Sequence, residues 1–442
     1  MNQPFVPLRT GKDWLPAWDP EGNWDSRRAW KTLWITTFNL TLAFVTWFLV
    51  SAVAPKLTSM GFDLSKTQLY WLAAIPGLAG GSLRLIWTFL PPIMGTRKLV
   101  AISTGLLLLP LTGWAIALQQ PSTPYVVLLF LAFLAGIGGA VFSGFMPSTS
   151  YFFPRAKQGT ALGLQAGIGN FGVSLVQFVT PWVIGFALIG SSQAMVNLDA
   201  GSSKEVWFQN AAIFWMPFVI VGAILAWLLL RSVPVQARGV REQLDIFTNK
   251  HTWIMTYLYI ITFGTFSGLA AAFGLLIANL YGPSAFGDAG VDALQFAFLG
   301  ALIGSLARII AGPVADRVGG GKVTVVAVIG IAASAFFTSF QVDPASADDF
   351  PRFLFGMLAI FFFAGVGNAS TFKQMPMIFE RRQAGGVIGW TSAIAAFGPF
   401  IFGMLLAANA PRLFFLLGAF FGLIAAVVAW WFYARKGAEM PC

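Results

Sequence analysis

Two arginines lie inside helix-length apolar runs, Arg84 in LAAIPGLAGGSLRLIWTFL and Arg308 in ALQFAFLGALIGSLARIIAG. A guanidinium stays charged at any biological pH, and placing one at mid-membrane depth costs about 2.5 to 3.5 kcal/mol on insertion scales. Its forked N–H groups can grip a planar oxyanion in pairs, a geometry that an ammonium does not match. The two runs also align with each other. Setting AIPGLAGGSLR (74–84) on FLGALIGSLAR (298–308) superposes the arginines at an offset of 224, and the same offset brings Gly95 onto Gly319 and Lys98 onto Lys322. Downstream, PRAKQGTALGLQAGIGNFG (154–172) pairs with FERRQAGGVIGWTSAIAAFG (379–398) as the offset drifts to 225 or 226. The arginines are therefore twin features of an internal repeat, and such repeats set a substrate site at their interface near the bilayer midplane.

The elements that position them are membrane helices. With 57% hydrophobic and 10% charged residues over 442 positions, the chain departs far from the composition of soluble proteins, about 25% charged. Apolar stretches of roughly 20 residues predict twelve spans: near 32–54, 68–92, 98–118, 124–148, 160–187, 211–230, 253–280, 291–314, 322–340, 352–377, 384–408 and 411–434. The expected fold is an all-α integral membrane protein of two six-helix bundles, 32–230 and 253–434, joined by a linker at 231–252 and flanked by tails at 1–31 and 435–442. Under an orientation with the N-terminus inside, one face carries 19 Lys/Arg and the other five. The positive-inside rule then places both termini in the cytoplasm. The net charge of +10 is mostly this topology signal, and scattered basic residues without a reader motif do not point to nucleic acid.

Arg84 precedes Arg97 by 13 residues and Arg308 precedes Arg317 by nine, depths of roughly 20 and 14 Å at 1.5 Å per residue. None of the 17 Asp/Glu falls in the interior of a predicted span, so the counter-charge is expected from a ligand. Lys373, seven residues before Glu380, either reaches the cytoplasmic interface or faces the pathway, where it would raise the cationic potential. Other chemistry is poorly served. Cys442 is the only cysteine and His251 the only histidine, which excludes an intrachain disulfide framework and leaves no metal or cofactor ligand set. No nucleophile–base pair marks an enzyme. The segment 1–31 lacks the apolar core of a signal peptide; its Trp14, Trp18, Trp24 and Trp30, with Arg27 and Arg28, are expected at headgroup level.

GPVADRVGGGK (312–322) resembles the signature loop of the major facilitator superfamily, whose Asp and Arg latch the cytoplasmic side; Asp316 and Arg317 occupy those positions. The first-half copy, TFLPPIMGTRK (88–98), has Pro92 in place of the Asp. The glycine-rich QGTALGLQAGIGNFGVSLVQFVTP (158–181) and WTSAIAAFGPFIFG (390–403) resemble the paired nitrate signatures of NarK-type nitrate/nitrite porters, a resemblance running from about Lys31 to Lys436. It implies close helix packing at Gly163, Gly167, Gly169, Gly172, Gly389 and Gly398. It further implies Arg84 and Arg308 as anion ligands, Asn170 as an amide donor, Tyr259 with Phe263 one turn on, and Phe142, the two phenylalanines enclosing a flat ion. Ser392 and Phe44 complete the implied set.

Coupling follows from an absence. Proton-driven carriers generally use intramembrane Asp, Glu or His as relays, and the predicted spans hold none in their interiors. If the empty carrier, with two unpaired arginines, resists switching, only the anion-loaded form interconverts, which makes an obligate antiporter. The expectation is nitrate/nitrite exchange by a monomer in the bacterial inner membrane, with inorganic anions and membrane lipid as its partners. Proton–nitrate symport is the nearest alternative; a non-transporting sensor or scaffold is more remote.

Overall fold

The computed structural model describes residues 12–196, 203–234 and 244–442. Lipid offers backbone amides no partner, so apolar runs of this length close their hydrogen bonds within helices. α1 is Ser26–Trp47, continued by Leu49–Val53 after a 50° bend. Lys66–Leu106 then holds two helices, α2 and α3, that meet at Gly95, whose non-helical φ of 74° and ψ of 158° fold one back against the other; Leu108–Ala117 extends α3. Trp87 Nε1 donates to Ser103 Oγ at 2.9 Å across this hairpin. α4 comprises Tyr125–Ala135, Ile137–Ala140 and Phe142–Ser150; α5 is Arg155–Val183; α6 is Asn210–Ile213 with Met216–Leu229.

The second half repeats the plan. α7 runs through Lys250–Tyr259, a π turn at Ile260–Gly264 and Thr265–Leu280; α8 is Ala297–Val318 and α9 Gly320–Thr338. α10 is Phe350–Ile378, α11 Arg381–Ala395 with Gly398–Ala407, and α12 Pro411–Ala429 with a terminal π turn at Trp430–Ala434. Gly319, at φ 102°, separates α8 from α9 where Gly95 separates α2 from α3. A residue without Cβ takes this backbone at little cost, and its recurrence at the aligned position carries the repeat into three dimensions. Among the described residues ten helical segments are long and apolar enough to cross a membrane, one of them holding both α2 and α3, and the bent α1 joins them. A short antiparallel hairpin, Gln193–Val196 with Ser203–Val206, links α5 to α6. The part of the expected linker at 235–243 and residues 1–11 lie outside the described residues.

Polarity is inverted relative to a soluble protein. Asn39, Gln165, Gln177, Asn368 and Gln374 are fully buried, while Ile102, Leu109, Phe130, Ile310, Phe336 and Phe420 face outward. The halves are tied to each other at the end remote from the two termini. There Lys56 pairs with Asp292 at 3.0 Å, Asn279 Nδ2 donates to Tyr70 Oη at 3.2 Å, and Gln177 Nε2 donates to Ala270 O at 2.9 Å. At the terminus-bearing end the corresponding bonds stay inside one half. Asp13 pairs with Arg97 in the first, and Lys250 with Glu439 at 2.7 Å in the second.

The tail tryptophans, expected at headgroup level, are seated on the protein. Trp18 and Trp24 donate Nε1 to the carbonyls of Tyr151 and Phe152 at 3.1 and 3.0 Å, and Trp14 lies against Ser232. His251 is buried, with Nδ1 2.9 Å from Tyr433 Oη.

Candidate anion site

α2 and α8 bring Arg84 and Arg308 into the contact between the halves, where they are 0% and 3% exposed. Each reaches across to the glycine-rich helix of the other half. Arg84 Nη1 donates to Ser392 O on α11 at 2.6 Å, and its Nε donates to Gly139 O on α4 at 2.8 Å. Arg308 Nη1 donates to Asn170 Oδ1 on α5 at 3.2 Å, in the amide orientation that lets Asn170 Nδ2 donate to Ala166 O at 3.2 Å. In both guanidinium groups Nη2 is buried without a partner, as is the Tyr259 hydroxyl. Among the described residues no carboxylate pairs with either arginine. Two buried cations are thus left with idle donors.

Aromatic rings close the site. The Arg84 guanidinium carbon lies 4.7, 5.3 and 5.6 Å from the ring centres of Phe142, Trp47 and Phe263, and that of Arg308 lies 5.4 Å from Phe372. A ring face is the negative part of its quadrupole, so these faces hold the cations and shield them from water. Phe142 and Phe263 face each other at 6.5 Å and 28°, with Arg84 itself against both. Tyr259 stacks on Phe263 at 5.3 Å and 5°. The π turn that starts just after Tyr259 is a local helix widening of a kind frequent at functional sites. Phe44 stands one ring further out, 6.2 Å from Phe142 and 5.3 Å from Trp47.

Ser392 meets Arg84 through its backbone. Its hydroxyl back-bonds to Gly389 O at 3.0 Å, so it offers Arg84 a carbonyl, not a hydroxyl. Phe372, Trp47 and the Gly139 carbonyl were not anticipated; a backbone acceptor leaves no trace in residue type, and one Phe among 44 carries no signal.

Five of the six signature glycines allow close approach: a Cβ would meet Ile309 at Gly167, Leu40 at Gly169, the Thr41 carbonyl at Gly172, Thr88 at Gly389 and the Gly264 carbonyl at Gly398. Gly163 faces open space, so helix packing does not account for it. Lys373, read as reaching either the interface or the pathway, forms an ion pair with Asp316. That contact joins α10 to α8 within one half, so Asp316 is engaged there and does not bridge the halves; Arg317 is exposed.

The model of the Major Facilitator Superfamily matches residues 36–393. A probable nitrate/nitrite antiporter of Thermus thermophilus, NarK2, is 60% identical over 439 residues, spanning 97% of this chain and 98% of its own length. The nitrate/nitrite transporter NarU of Escherichia coli is 32% identical, with 96% of each chain covered. A nitrite extrusion protein of Bacillus subtilis is 27% identical over 84% of this chain and 85% of its own.

Proposed function

The chain belongs to the major facilitator superfamily, and on that footing we propose that it exchanges nitrate and nitrite across the bacterial inner membrane by alternating access. The observation that carries this reading is the crossed arginine pair. Arg84 and Arg308 each bond to the opposite half and each keeps one buried Nη2 without a partner. An oxyanion lodged between them satisfies both leftover donors and balances two buried charges, which neither a sugar nor an organic cation does. The names of the similar proteins support the same anions.

The two bundles, 32–230 and 253–434, rock about this site as a monomer in lipid, with linker 231–252 and both termini in the cytoplasm. Under this orientation the cross-half bonds at Lys56–Asp292 and Tyr70–Asn279 close the outer side. Arg84 and Arg308 bind the anion, Asn170 and Tyr259 donate to it, and Phe44, Phe142 and Phe263 wall it in; Asp316 and Arg317 belong to the cytoplasmic closure. Exchange is favoured over proton symport because the spans carry no interior Asp, Glu or His to relay a proton.

Counterflow tests it. Proteoliposomes preloaded with nitrite are expected to take up nitrate many times faster than empty ones, with no response to an imposed proton gradient. Equal uptake by empty vesicles that rises with the gradient rejects exchange in favour of symport.

A further inference from the structure

We propose that Asn368 is a further anion-binding residue, donating an amide N–H to an oxygen of the anion held by Arg308; the inference rests on the reading of the site given above. Three observations converge on it. First, Asn368 is 0% exposed and both its side-chain atoms, Nδ2 and Oδ1, lack any hydrogen-bond partner. A buried amide left with four idle hydrogen-bonding sites is kept for something other than packing.

Second, the repeat places it beside Arg308. Ala135-Gly136-Ile137-Gly138-Gly139-Ala140 of α4 aligns with Ala364-Gly365-Val366-Gly367-Asn368-Ala369 of α10, and Met146-Pro147 aligns with Met375-Pro376 at the same spacing. The packing repeats as well. Gly136 abuts Ala79 and Gly80 of α2, and Gly365 abuts Gly304 and Ala307 of α8. In the first half the residue at this place is Gly139, whose carbonyl takes Arg84 Nε at 2.8 Å. Its counterpart is Asn368, so the second half carries an amide where the first has no side chain. Because α8 and α10 run in the same direction, one turn beyond the Gly365–Gly304 contact brings Asn368 to the depth of Arg308.

Third, the neighbours on its helix face already form the site. Phe372, four residues on and therefore on the same face, has its ring 5.4 Å from the Arg308 guanidinium carbon and 5.7 Å from the Tyr259 ring. Gly367 abuts Thr262, which adjoins Phe263. This register sets Asn368 beside Arg308 from its own half, as Asn170 meets it from the other, and the Arg308 Nη2 is idle like that of Arg84. A planar anion at Arg308 meets two amides, one from each half.

The test uses the purified full chain in detergent, with binding of sodium nitrate measured by calorimetry and by nitrate-dependent thermal stabilisation. Two replacements remove the amide in different ways: Asn368→Leu fills its volume, and Asn368→Gly restores the residue found at Gly139. Both are expected to weaken nitrate binding about tenfold, or about 1.4 kcal/mol, while the melting temperature without nitrate stays level or rises for Asn368→Leu. Asn368→Asp is expected to abolish the nitrate-dependent shift by setting a carboxylate against the anion. Nitrate affinity within twofold of wild type in either amide-free variant overturns the inference and leaves the reading of the arginine site intact. A wild-type protein that shows no nitrate binding overturns both.

Discussion

Arg84 is held by two backbone carbonyls and three rings, whereas Arg308 is held by one side-chain amide and one ring. The repeat shows where the two arrangements part. At an offset of 226, Ala166 aligns with Ser392 and Asn170 with Ala396. Ser392 O takes Arg84 directly, while its counterpart, Ala166 O, is occupied by Asn170 Nδ2, which stands between it and Arg308. One inserted amide turns a direct bond into a relayed one. The geometry of Arg84 is consequently fixed by main chain, and that of Arg308 by a rotamer that can re-aim. Both bonds cross between halves, so both must break for the halves to part at this level; on the proposed reading, an anion that bridges the guanidinium groups lowers that cost. Arg84 supplies the fixed, ring-shielded pole of the site and Arg308 the adjustable, amide-lined one.

The largest effects test whether both poles are needed. Arg84→Lys and Arg308→Lys each keep the charge but lose the fork, and each is expected to cut nitrate/nitrite counterflow at least a hundredfold, with normal insertion verified by size-exclusion chromatography. Retained exchange in either variant sinks the two-pole description. Asn170 separates the poles. Asn170→Ala leaves every Arg84 contact in place and is expected to raise the nitrate KM about tenfold, consistent with about 1.5 to 3 kcal/mol for a hydrogen bond to a charged group. Asn170→Asp should be more damaging, because its carboxylate would neutralise Arg308 and compete with the anion. A KM unchanged in Asn170→Ala would make the inserted amide a packing detail.

Much of this was legible in the sequence, for reasons that also mark its limits. Span positions follow from hydropathy, and the arginine pair from the cost of charge in lipid. What stayed hidden depends on main chain or on chain reversal. α2 and α3, read as separate spans, are two helices, but the reversal between them is made at the non-helical backbone of Gly95, which hydropathy does not show. Ser392 meets Arg84 through its carbonyl, and no residue type encodes that. Lys373 offered two directions until Asp316 was seen beside it, since α8 and α10 are brought together by glycine contacts that single-helix patterns do not reveal. The glycines were read as a group, yet a Cβ on Gly163 would meet nothing within 4 Å; small residues mark possible approaches, and the partner helix decides which are used.

Smaller effects probe the ring shield. Phe142→Leu removes the ring nearest Arg84 and Phe372→Leu the ring over Arg308. A cation–π contact contributes about 0.5 to 2 kcal/mol, more when desolvated. Three rings share Arg84, so losing one should cost little, and Phe372→Leu is expected to raise the nitrate KM more than Phe142→Leu does. The reverse order would mean that Phe142 touches the anion itself.

The smallest effect concerns the end of the molecule remote from the termini, where Lys56 and Asp292 join the halves with side chains 21% and 40% exposed. Partly exposed ion pairs contribute about 0 to 1 kcal/mol and are screened by salt. Asp292→Ala should therefore leave nitrate affinity within twofold, because it lies outside both poles. Its effect belongs to the equilibrium between conformations. Loss of a bond made only in the closed arrangement of that end shifts the population toward opening there, by at most about fivefold for 1 kcal/mol. Accessibility of a cysteine introduced at Asn279, in the closed gap, should rise by that factor relative to the same cysteine with Asp292 present, and the difference should fade in high salt. If labelling is unchanged at low salt while Asn170→Ala still raises the KM, the pair is a surface contact without a gating role, and the crossed arginine bonds alone set how firmly the halves meet.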